Sequence, residues 1–309
     1  MKTWKAHAGH VGGVAFSPDG TRLATFNDSF ARLWDVAAGT EAASFKAHGR
    51  GTGTLQPQVS CIAFSRCGRY LAVGSFSSPD DHGVRVWELE SGEAPGAILR
   101  PPDAPYDVTF SPTDPPGLLV ADNYRLSHFP DALTRVEGMK PEVYARGPDR
   151  ALPRCSRVLC SVDLKWVATN GKSKAVVWEA ETLKPRYARQ HKKGPQNGPA
   201  AFDLAGEVLA VAHGTKVDLW RFADKDAEAV ELSGHKLPVW AVGFLHDGRT
   251  VQTASSDGTV RLWDVATGGE KRRYDFGIGK LYCAAFAPDG LTCAAGGENG
   301  QVVIWDVDA

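Results

Sequence analysis

The sequence has few sulfur-containing residues, with 6 cysteines and 2 methionines in 309 positions. No two cysteines form a Cys-x-x-Cys pair, and their spacings match no zinc motif. A disulfide framework of the kind found in small secreted domains is excluded as well. We interpret the cysteines as small apolar residues of a core. We therefore expect no metal, no cofactor and a reducing, cytoplasmic location.

Net charge and long apolar runs are also lacking. The 35 basic side chains nearly balance 36 acidic ones, so the formal charge is −1 and bulk charge does not favour nucleic acid. No window approaches 18 uninterrupted apolar residues, and no apolar segment follows the first residues. These two absences predict no membrane span and no signal peptide. The hydrophobic content of 43% is enough for a globular core and excludes intrinsic disorder.

The common catalytic signatures are missing. The sequence contains no Gly-x-x-x-x-Gly-Lys-Ser/Thr, no His-Glu-x-x-His and no Gly-x-Ser-x-Gly. A phosphate-cradling loop, a zinc-protease helix and a nucleophile elbow are therefore excluded. We expect a protein that is not an enzyme, with an enzyme acting through a central channel as the rival interpretation.

What the sequence does have is an internal repeat. Residues 14–36 read VAFSPDGTRLATFNDSFARLWDV, residues 242–265 read VGFLHDGRTVQTASSDGTVRLWDV, and residues 284–307 read AAFAPDGLTCAAGGENGQVVIWDV. Weaker copies lie between them, and all align on one large aromatic residue of the last strand. The seven anchors are Trp34, Trp87, Phe129, Trp178, Trp220, Trp263 and Trp305. Seven units of about 40–45 residues, two of them with insertions, follow from this alignment.

Each unit has the pattern of a small antiparallel sheet. Three short apolar runs are separated by tight turns such as Asp247-Gly248, and a more polar fourth run closes the unit. One such sheet cannot bury both of its faces alone. Stacking the sheets radially buries them against each other and leaves little exposed edge.

These motifs resemble those of the WD40-repeat β-propeller family. Trp-Asp stands at Trp34-Asp35, Trp263-Asp264 and Trp305-Asp306, and Gly-His stands at Gly234-His235. The resemblance covers the whole chain and implies one all-β domain over residues 1–309, a seven-bladed β-propeller of four-stranded antiparallel blades. The last unit stops after its third strand, and residues 1–6 match a fourth-strand ending. The resemblance therefore implies that the N-terminal strand completes blade 7.

Two units carry a recurring set of polar residues. The sets are His7, Thr25, Asp28 and Trp34, and His235, Thr253, Asp257 and Trp263. One interpretation is a hydrolytic triad. The other, which the resemblance implies, is a hydrogen-bonded tetrad that stabilises a blade. We favour the second because a catalytic triad is needed once, whereas this set recurs at one register.

A partner surface is expected where loops of one face precede the first strand of each unit. We call this end of the ring the top face. The resemblance places partner contacts there, and we predict Trp240, Tyr282, Lys280, Tyr106, Arg154 and Pro238 as contact residues for a protein or peptide. Exposed Trp, Tyr and Arg dominate binding energetics. The alternative is that the aromatic residues pack on adjacent loops and line the mouth of the central channel.

Charge is concentrated in one segment, residues 140–193. It carries thirteen basic and five acidic residues, a local charge of +8 that leaves −9 on the rest of the chain. This segment could bind nucleic acid or an acidic ligand, or it could be a solvated surface. The preferred function is a non-catalytic scaffold for protein or peptide partners, either a monomer or a subunit of a complex.

Overall fold

The computed structural model describes residues 1–46, 58–78, 81–91, 98–101, 103–111, 117–122, 126–130, 142–143, 155–171, 174–190, 198–224 and 226–307. Within these residues the chain is built from 27 strands in seven antiparallel sheets. Six sheets have four described strands. The sheet of blade 2 has three, and Leu99 forms an isolated bridge to the outer side of Val84.

The strands of the first three blades run outward from the ring centre in chain order. Blade 1 contains β2 (Gly13–Phe16), β3 (Arg22–Phe26), β4 (Phe30–Asp35) and β5 (Glu41–Lys46); blade 2 contains β6 (Gln58–Phe64), β7 (Tyr70–Ser78) and β8 (Asp81–Glu88); blade 3 contains β9 (Pro105–Phe110), β10 (Leu118–Asp122), β11 (Leu126–Phe129) and β12 (Glu142–Val143).

Blades 4 to 6 repeat this order, and blade 7 takes its outer strand from the start of the chain. Blade 4 contains β13 (Cys155–Cys160), β14 (Trp166–Gly171), β15 (Lys174–Glu179) and β16 (Pro185–Gln190); blade 5 contains β17 (Ala200–Phe202), β18 (Val208–His213), β19 (Lys216–Arg221) and β20 (Val230–Ser233); blade 6 contains β21 (Val239–Phe244), β22 (Thr250–Ser255), β23 (Thr259–Asp264) and β24 (Glu270–Asp275); blade 7 contains β25 (Leu281–Phe286), β26 (Thr292–Gly297), β27 (Gln301–Asp306) and β1 (Lys2–Lys5).

The ring closes as the sequence predicts. Strand β1 pairs antiparallel with β27, with Thr3 opposite Val303. The ring of Trp4 lies 5.8 Å from that of Trp34 in blade 1, so the closing strand also contacts the next blade. The all-β, seven-bladed propeller is thereby confirmed, with the N-terminal strand in the last blade.

The apolar core is divided among the contacts between neighbouring blades. The described residues form seven buried apolar clusters, and each cluster joins two adjacent blades. The cluster between blades 7 and 1 combines Ala294 and Ile304 with Leu23 and Trp34. Burial of such side chains contributes about 1.5–3 kcal/mol each. The core therefore runs once around the channel.

An aspartate and a glycine build the turn between the first and second strands of blade 6. Asp247 accepts the backbone N–H groups of Arg249 and Thr250 at 2.9 Å, and Gly248 adopts a φ of 62°. A side chain with a Cβ is strained at such a φ, so glycine is favoured there. The pairs Asp19-Gly20, Asp247-Gly248 and Asp289-Gly290 therefore mark hairpins at the face opposite the top face.

The aromatic anchors occupy one register in every blade where the structure describes it. Trp34, Trp178 and Trp263 donate their indole N–H to Thr25, Thr169 and Thr253 at 2.8–2.9 Å. Each threonine lies two positions after the residue that pairs with the tryptophan.

The weak third repeat follows the same register as the others. Phe129 pairs with Leu118 just as Trp34 pairs with Leu23, so the anchor predicted from spacing is confirmed. The threonine position of this blade is occupied by Val120, and a phenyl ring has no N–H for a threonine to accept.

Within the described residues, two of the tryptophan anchors that lack a threonine partner have an unpaired indole N–H. The indole N–H groups of Trp87 and Trp305 are buried without a hydrogen-bond partner in the described part of the chain. Val73 and Ala295 stand at the corresponding threonine positions. An unpaired buried donor costs about 1–3 kcal/mol. In both blades a hydrogen-bond acceptor placed beside the indole N–H should therefore increase stability.

Val73→Thr is predicted to increase the free energy of unfolding by about 1 kcal/mol, because the new hydroxyl accepts the Trp87 indole N–H. Chemical denaturation measures this change. Val120→Thr is the matched control, since Phe129 offers no N–H, and it should lower stability by about 1–3 kcal/mol. Equal losses in both variants would contradict the explanation.

Candidate functional site

The four polar residues expected in blade 6 form one continuous network. His235 Nδ1 lies 2.9 Å from Asp257 Oδ2, and His235 Nε2 lies 2.7 Å from Thr253 Oγ1. The Trp263 indole N–H donates to the same Thr253 oxygen at 2.8 Å. These contacts assign the proton of a neutral imidazole to Nδ1, where the Asp257 carboxylate accepts it.

Blade 1 contains three of the four expected members. His7 Nε2 lies 2.8 Å from Thr25 Oγ1, and Trp34 donates to that oxygen at 2.9 Å. The prediction that Asp28 joins them is wrong. Its carboxylate is largely exposed and lies 3.9 Å from His10 Nε2. Within the described residues, His7 Nδ1 has no hydrogen-bond partner.

The shorter turn of blade 1 explains the missing contact. Four residues separate the last paired positions of β3 and β4, whereas five separate those of β22 and β23. In blade 1 the Asn27 side chain caps the turn by accepting the N–H groups of Ser29 and Phe30 at 3.0 Å. Asp28 is left at the tip, outside the blade.

The environment of both networks is unsuited to catalysis. Thr25 and Thr253 have no exposed surface, so a substrate carbonyl cannot reach either hydroxyl. Burial, with the Arg32 and His10 charges, lowers the pKa of His7 to about 4. Burial also lowers the pKa of His235, although Asp257 acts in the opposite direction. Neutral histidines in buried networks support the interpretation of blade stabilisation.

The top-face positions are displaced from the sheets by a shared irregularity. In five blades the innermost strand has a β-bulge at one register, which leaves one residue unpaired. The bulged residues are Ser60, Tyr106, Ser156, Trp240 and Tyr282. Bulges redirect side chains and are frequent near functional sites. Three of the predicted contact residues therefore lie where the backbone itself leaves the ladder.

Two of these aromatic side chains are held in place at the channel mouth. Trp240 is 38% exposed, and its indole N–H donates to Ser256 Oγ at 2.7 Å. The Tyr282 ring packs edge to face on His10, with ring centroids 5.8 Å apart. Tyr106 is also exposed.

The other predicted contact residues differ in their surroundings. Lys280 Nζ lies 3.3 Å from Glu298 Oε2, so part of its charge is balanced. Pro238 is half-buried, and its carbonyl accepts the Ser256 N–H at 3.0 Å. Arg154 lies outside the described residues.

The mouth is a cavity of about 460 Å³ lined by His10, Gly12, Arg157, Trp240 and Tyr282. It lies above a second cavity of about 300 Å³ within the channel, which shares Gly12, Arg157, Trp240 and Tyr282 with it. Trp240 and Tyr282 therefore line the mouth, as the alternative interpretation states for the aromatic residues, and part of the Trp240 surface remains exposed.

Sequence reasoning missed Leu237 and Arg157 on this surface, and it placed His10 there by register without choosing it as a contact residue. Leu237 is 43% exposed beside Pro238, and His10 and Arg157 line the mouth. Arg157 directly follows the bulged Ser156. Its place at the start of the fourth repeat was the available signal, but only the aligned registers show that it faces the channel.

One residue from each blade forms a ring around the channel just after the bulge position. The ring consists of Gly13, Cys61, Asp107, Arg157, Pro199, Ala241 and Cys283, all of which line the deeper cavity. Five of these residues are small or apolar, and the two charged ones come from neighbouring blades. Asp107 Oδ2 accepts the Val158 N–H at 3.0 Å, which fixes the carboxylate against the strand of Arg157.

The electrostatics of the ring are dominated by this pair. Burial raises the pKa of Asp107, and the Arg157 guanidinium acts against that rise. Burial raises the pKa values of Cys61 and Cys283 to about 12, again with Arg157 in opposition. The Arg157 charge, which originates in blade 4, therefore acts on residues of blades 2, 3 and 7.

Part of the positive charge of the basic segment is balanced by acidic neighbours within the described residues. Arg186 pairs with Glu179 at 2.9 Å, and Lys165 pairs with Asp163 at 3.3 Å. Seven basic members lie outside the described residues: Lys140, Arg146, Arg150, Arg154, Lys172, Lys192 and Lys193. Nucleic-acid or acidic-ligand binding by residues 140–193 stays a prediction.

Across the described residues, no group of three or more His, Cys, Asp or Glu side chains is arranged to hold a metal ion. A helix long and apolar enough to cross a membrane is likewise absent from the part of the chain that the structure describes.

Comparison with known families agrees with this architecture. The model of the WD domain, G-beta repeat, matches residues 1–35, 39–88, 228–264 and 276–306. The chain belongs to the WD40-repeat β-propeller family. Domains of this family are typically protein-interaction scaffolds and are generally non-catalytic.

Individual relatives are distant. The chain is 25% identical to the serine-threonine kinase receptor-associated protein of Gallus gallus, over 86% of this chain and 70% of that protein. It is 24% identical to the nuclear distribution protein nudF of Aspergillus niger, over 86% and 62%. A shorter match, 31% identical over 36% of this chain and 13% of the relative, is to Coronin-7 of Mus musculus.

His7 is predicted to make this WD40 protein sensitive to acid. Its pKa falls from 6.5 to about 4 on folding, so only the unfolded chain takes up a proton between these values. The contribution of neutral His7 to the free energy of unfolding is therefore complete above pH 6.5 and is lost as the pH falls toward 4. At about 1.4 kcal/mol per pKa unit, the loss is roughly 3 kcal/mol.

Urea titrations of wild type and His7→Gln between pH 7 and pH 4 test this prediction. The stability difference between the two proteins should shrink by that amount as the pH falls. Thr25→Val is the control, because it removes the hydrogen bond but keeps the titrating imidazole. Its free energy of unfolding should change with pH as that of wild type does. The prediction would be refuted if the free energy of unfolding of His7→Gln fell with pH as steeply as that of wild type.

Proposed function

We propose that this protein is a non-catalytic scaffold, one propeller domain over residues 1–309, that binds a protein or peptide partner on its top face. The observation that carries the proposal is Trp240. It is an exposed aromatic residue at a β-bulge, held by Ser256 at the mouth of the channel. We expect a cytoplasmic protein that acts as a monomer or as a subunit of a complex.

The binding surface combines the aromatic residues with their apolar neighbours. We define the docking face as Trp240, Tyr282, Tyr106, Leu237, Pro238, Lys280, His10 and Arg157, with Arg154 as a further predicted member. Large apolar side chains gain little for the folded chain by facing water. Removal of such anchors from a partner interface typically costs 2 kcal/mol or more when they are central.

The rigidity of the anchors favours binding. The Trp240 indole is fixed by its hydrogen bond to Ser256, and the Tyr282 ring is fixed by its contact with His10. Side chains that are already ordered lose less conformational entropy when a partner arrives. The docking face is therefore preorganised around the mouth.

Affinity capture from the native host tests the proposed scaffold. The Trp240→Ala, Tyr282→Ala double variant should lose the partners captured by wild type, with affinity for a purified partner reduced more than tenfold. Val162 and Leu291 lie in first-to-second-strand turns at the opposite face and are 56% and 44% exposed. The Val162→Ala, Leu291→Ala variant is therefore the matched control and should capture the same proteins as wild type. Equal capture by all three proteins would exclude the top face as the docking surface.

A further inference from the structure

We propose that Arg157 binds the carboxylate of an aspartate or glutamate side chain that a docked peptide inserts into the channel mouth. This inference rests on the proposed function and names the chemistry of the partner. The docking face supplies apolar contact around the mouth, and Arg157 supplies the charge at its base.

The position of Arg157 is the first argument. Arg157 lines both the mouth and the deeper cavity, whereas Asp107 lines only the deeper one. Asp107 is fixed below by the Val158 N–H at 3.0 Å. A guanidinium has five N–H donors in a planar fork. It can therefore face Asp107 with one edge and present another toward the mouth.

The neighbouring residues of the ring are small, apolar or uncharged. Gly13, Pro199 and Ala241 are small or apolar, and the thiols of Cys61 and Cys283 are uncharged because burial raises their pKa values to about 12. Arg157 lines the cavity inside the channel together with residues from every blade of the ring, including Cys61 and Cys283. A side chain that enters through the mouth therefore reaches Arg157 before Asp107, which lines only the deeper cavity.

The charge of the mouth selects the ligand. Among the described residues, no carboxylate lines the mouth, whose lining consists of Gly12, Trp240 and Tyr282 together with His10 and Arg157. Glu298 is held by Lys280 at 3.3 Å, and Asp28 lies beside His10 without lining the cavity. An incoming lysine or arginine would meet a like charge in a narrow channel, which disfavours basic peptides.

The number of charges favours a carboxylate. One guanidinium matches the planar two-oxygen geometry and single charge of a carboxylate. Recognition of phosphorylated peptides more commonly uses clusters of arginines, and the described mouth contains one. The exposed Leu237 and Trp240 beside the mouth offer apolar contact to residues that flank the acidic one, which favours a peptide over a small free acid.

Peptide selection tests this inference. A display library of randomised nine-residue peptides is selected on wild-type protein in 150 mM NaCl. We expect an enriched aspartate or glutamate at one position, next to apolar residues. The selected peptide and its analogue with glutamine in place of the acidic residue are then compared by fluorescence anisotropy. The acidic peptide should bind at least tenfold more tightly.

Variants of the protein assign the effect to one side chain. Arg157→Gln should remove the difference between the two peptides, and Arg157→Lys should retain part of it. Asp107→Asn removes the internal competitor for the guanidinium and should keep or increase affinity for the acidic peptide. Arg69→Gln, which alters an exposed arginine paired with Glu88 at the opposite face, should bind both peptides as wild type does. Circular dichroism confirms the fold of each variant.

The possible outcomes separate the two proposals. Selected peptides without an acidic preference that still require Trp240 would overturn the role of Arg157 and leave the scaffold proposal standing. Equal binding of the acidic peptide and its glutamine analogue to the wild-type protein would likewise overturn the role of Arg157 and leave the scaffold proposal standing. A phosphoserine analogue that binds more than tenfold better than the acidic peptide would overturn the carboxylate assignment. Selected peptides whose binding is unaffected by both Trp240→Ala and Arg157→Gln would overturn both proposals.

Discussion

The structure depends on one constraint, which is that every blade has two apolar faces and can cover neither alone. Adjacent blades cover each other, and the seven apolar clusters of the described residues show one such contact at every junction. A stack of this kind ends in two exposed faces unless it closes. The pairing of β1 with β27 links the first and last parts of the chain and supports the junction of blades 7 and 1. Ring closure is therefore the condition for burying the core.

Closure also creates the candidate site, because it brings the innermost strands of all seven blades to one channel. Residues that are 40 or more positions apart in the sequence become neighbours in a ring. Asp107 and Arg157 meet there from adjacent blades, while Trp240 and Tyr282 meet at the mouth from blades 6 and 7. The β-bulges then turn one residue per strand out of the ladder. No single repeat contains the site, and the surface exists only as a product of the assembled ring.

The polar networks show how equivalent positions diverge within a shared frame. The same register holds a Thr–Trp hydrogen bond in blades 1, 4 and 6, and a buried indole without an acceptor in blades 2 and 7. Blade 6 adds a histidine and an aspartate, whereas the shorter turn of blade 1 leaves Asp28 outside. The backbone is maintained in all of these cases because apolar packing between blades carries most of the stability. The polar sets refine individual blades and are absent from the channel surface.

The sequence by itself determined the number of blades, the register of the anchors and the place of the N-terminal strand. These features follow from local patterns such as Trp34-Asp35 and the Asp247-Gly248 turn, which repeat because each blade solves the same packing problem. Even Phe129, the least regular anchor, was located by spacing. The sequence also predicted, through the register of the repeats, that Trp240 and Tyr282 lie at the top face. What only the tertiary structure decided was which side chains meet across blades. Asp28 failed to join His7 because of a turn one residue shorter, and Arg157 reached the mouth because closure set its strand beside the channel. Contacts of this kind depend on the geometry of turns, bulges and neighbouring blades, and a periodic pattern along one strand does not encode them.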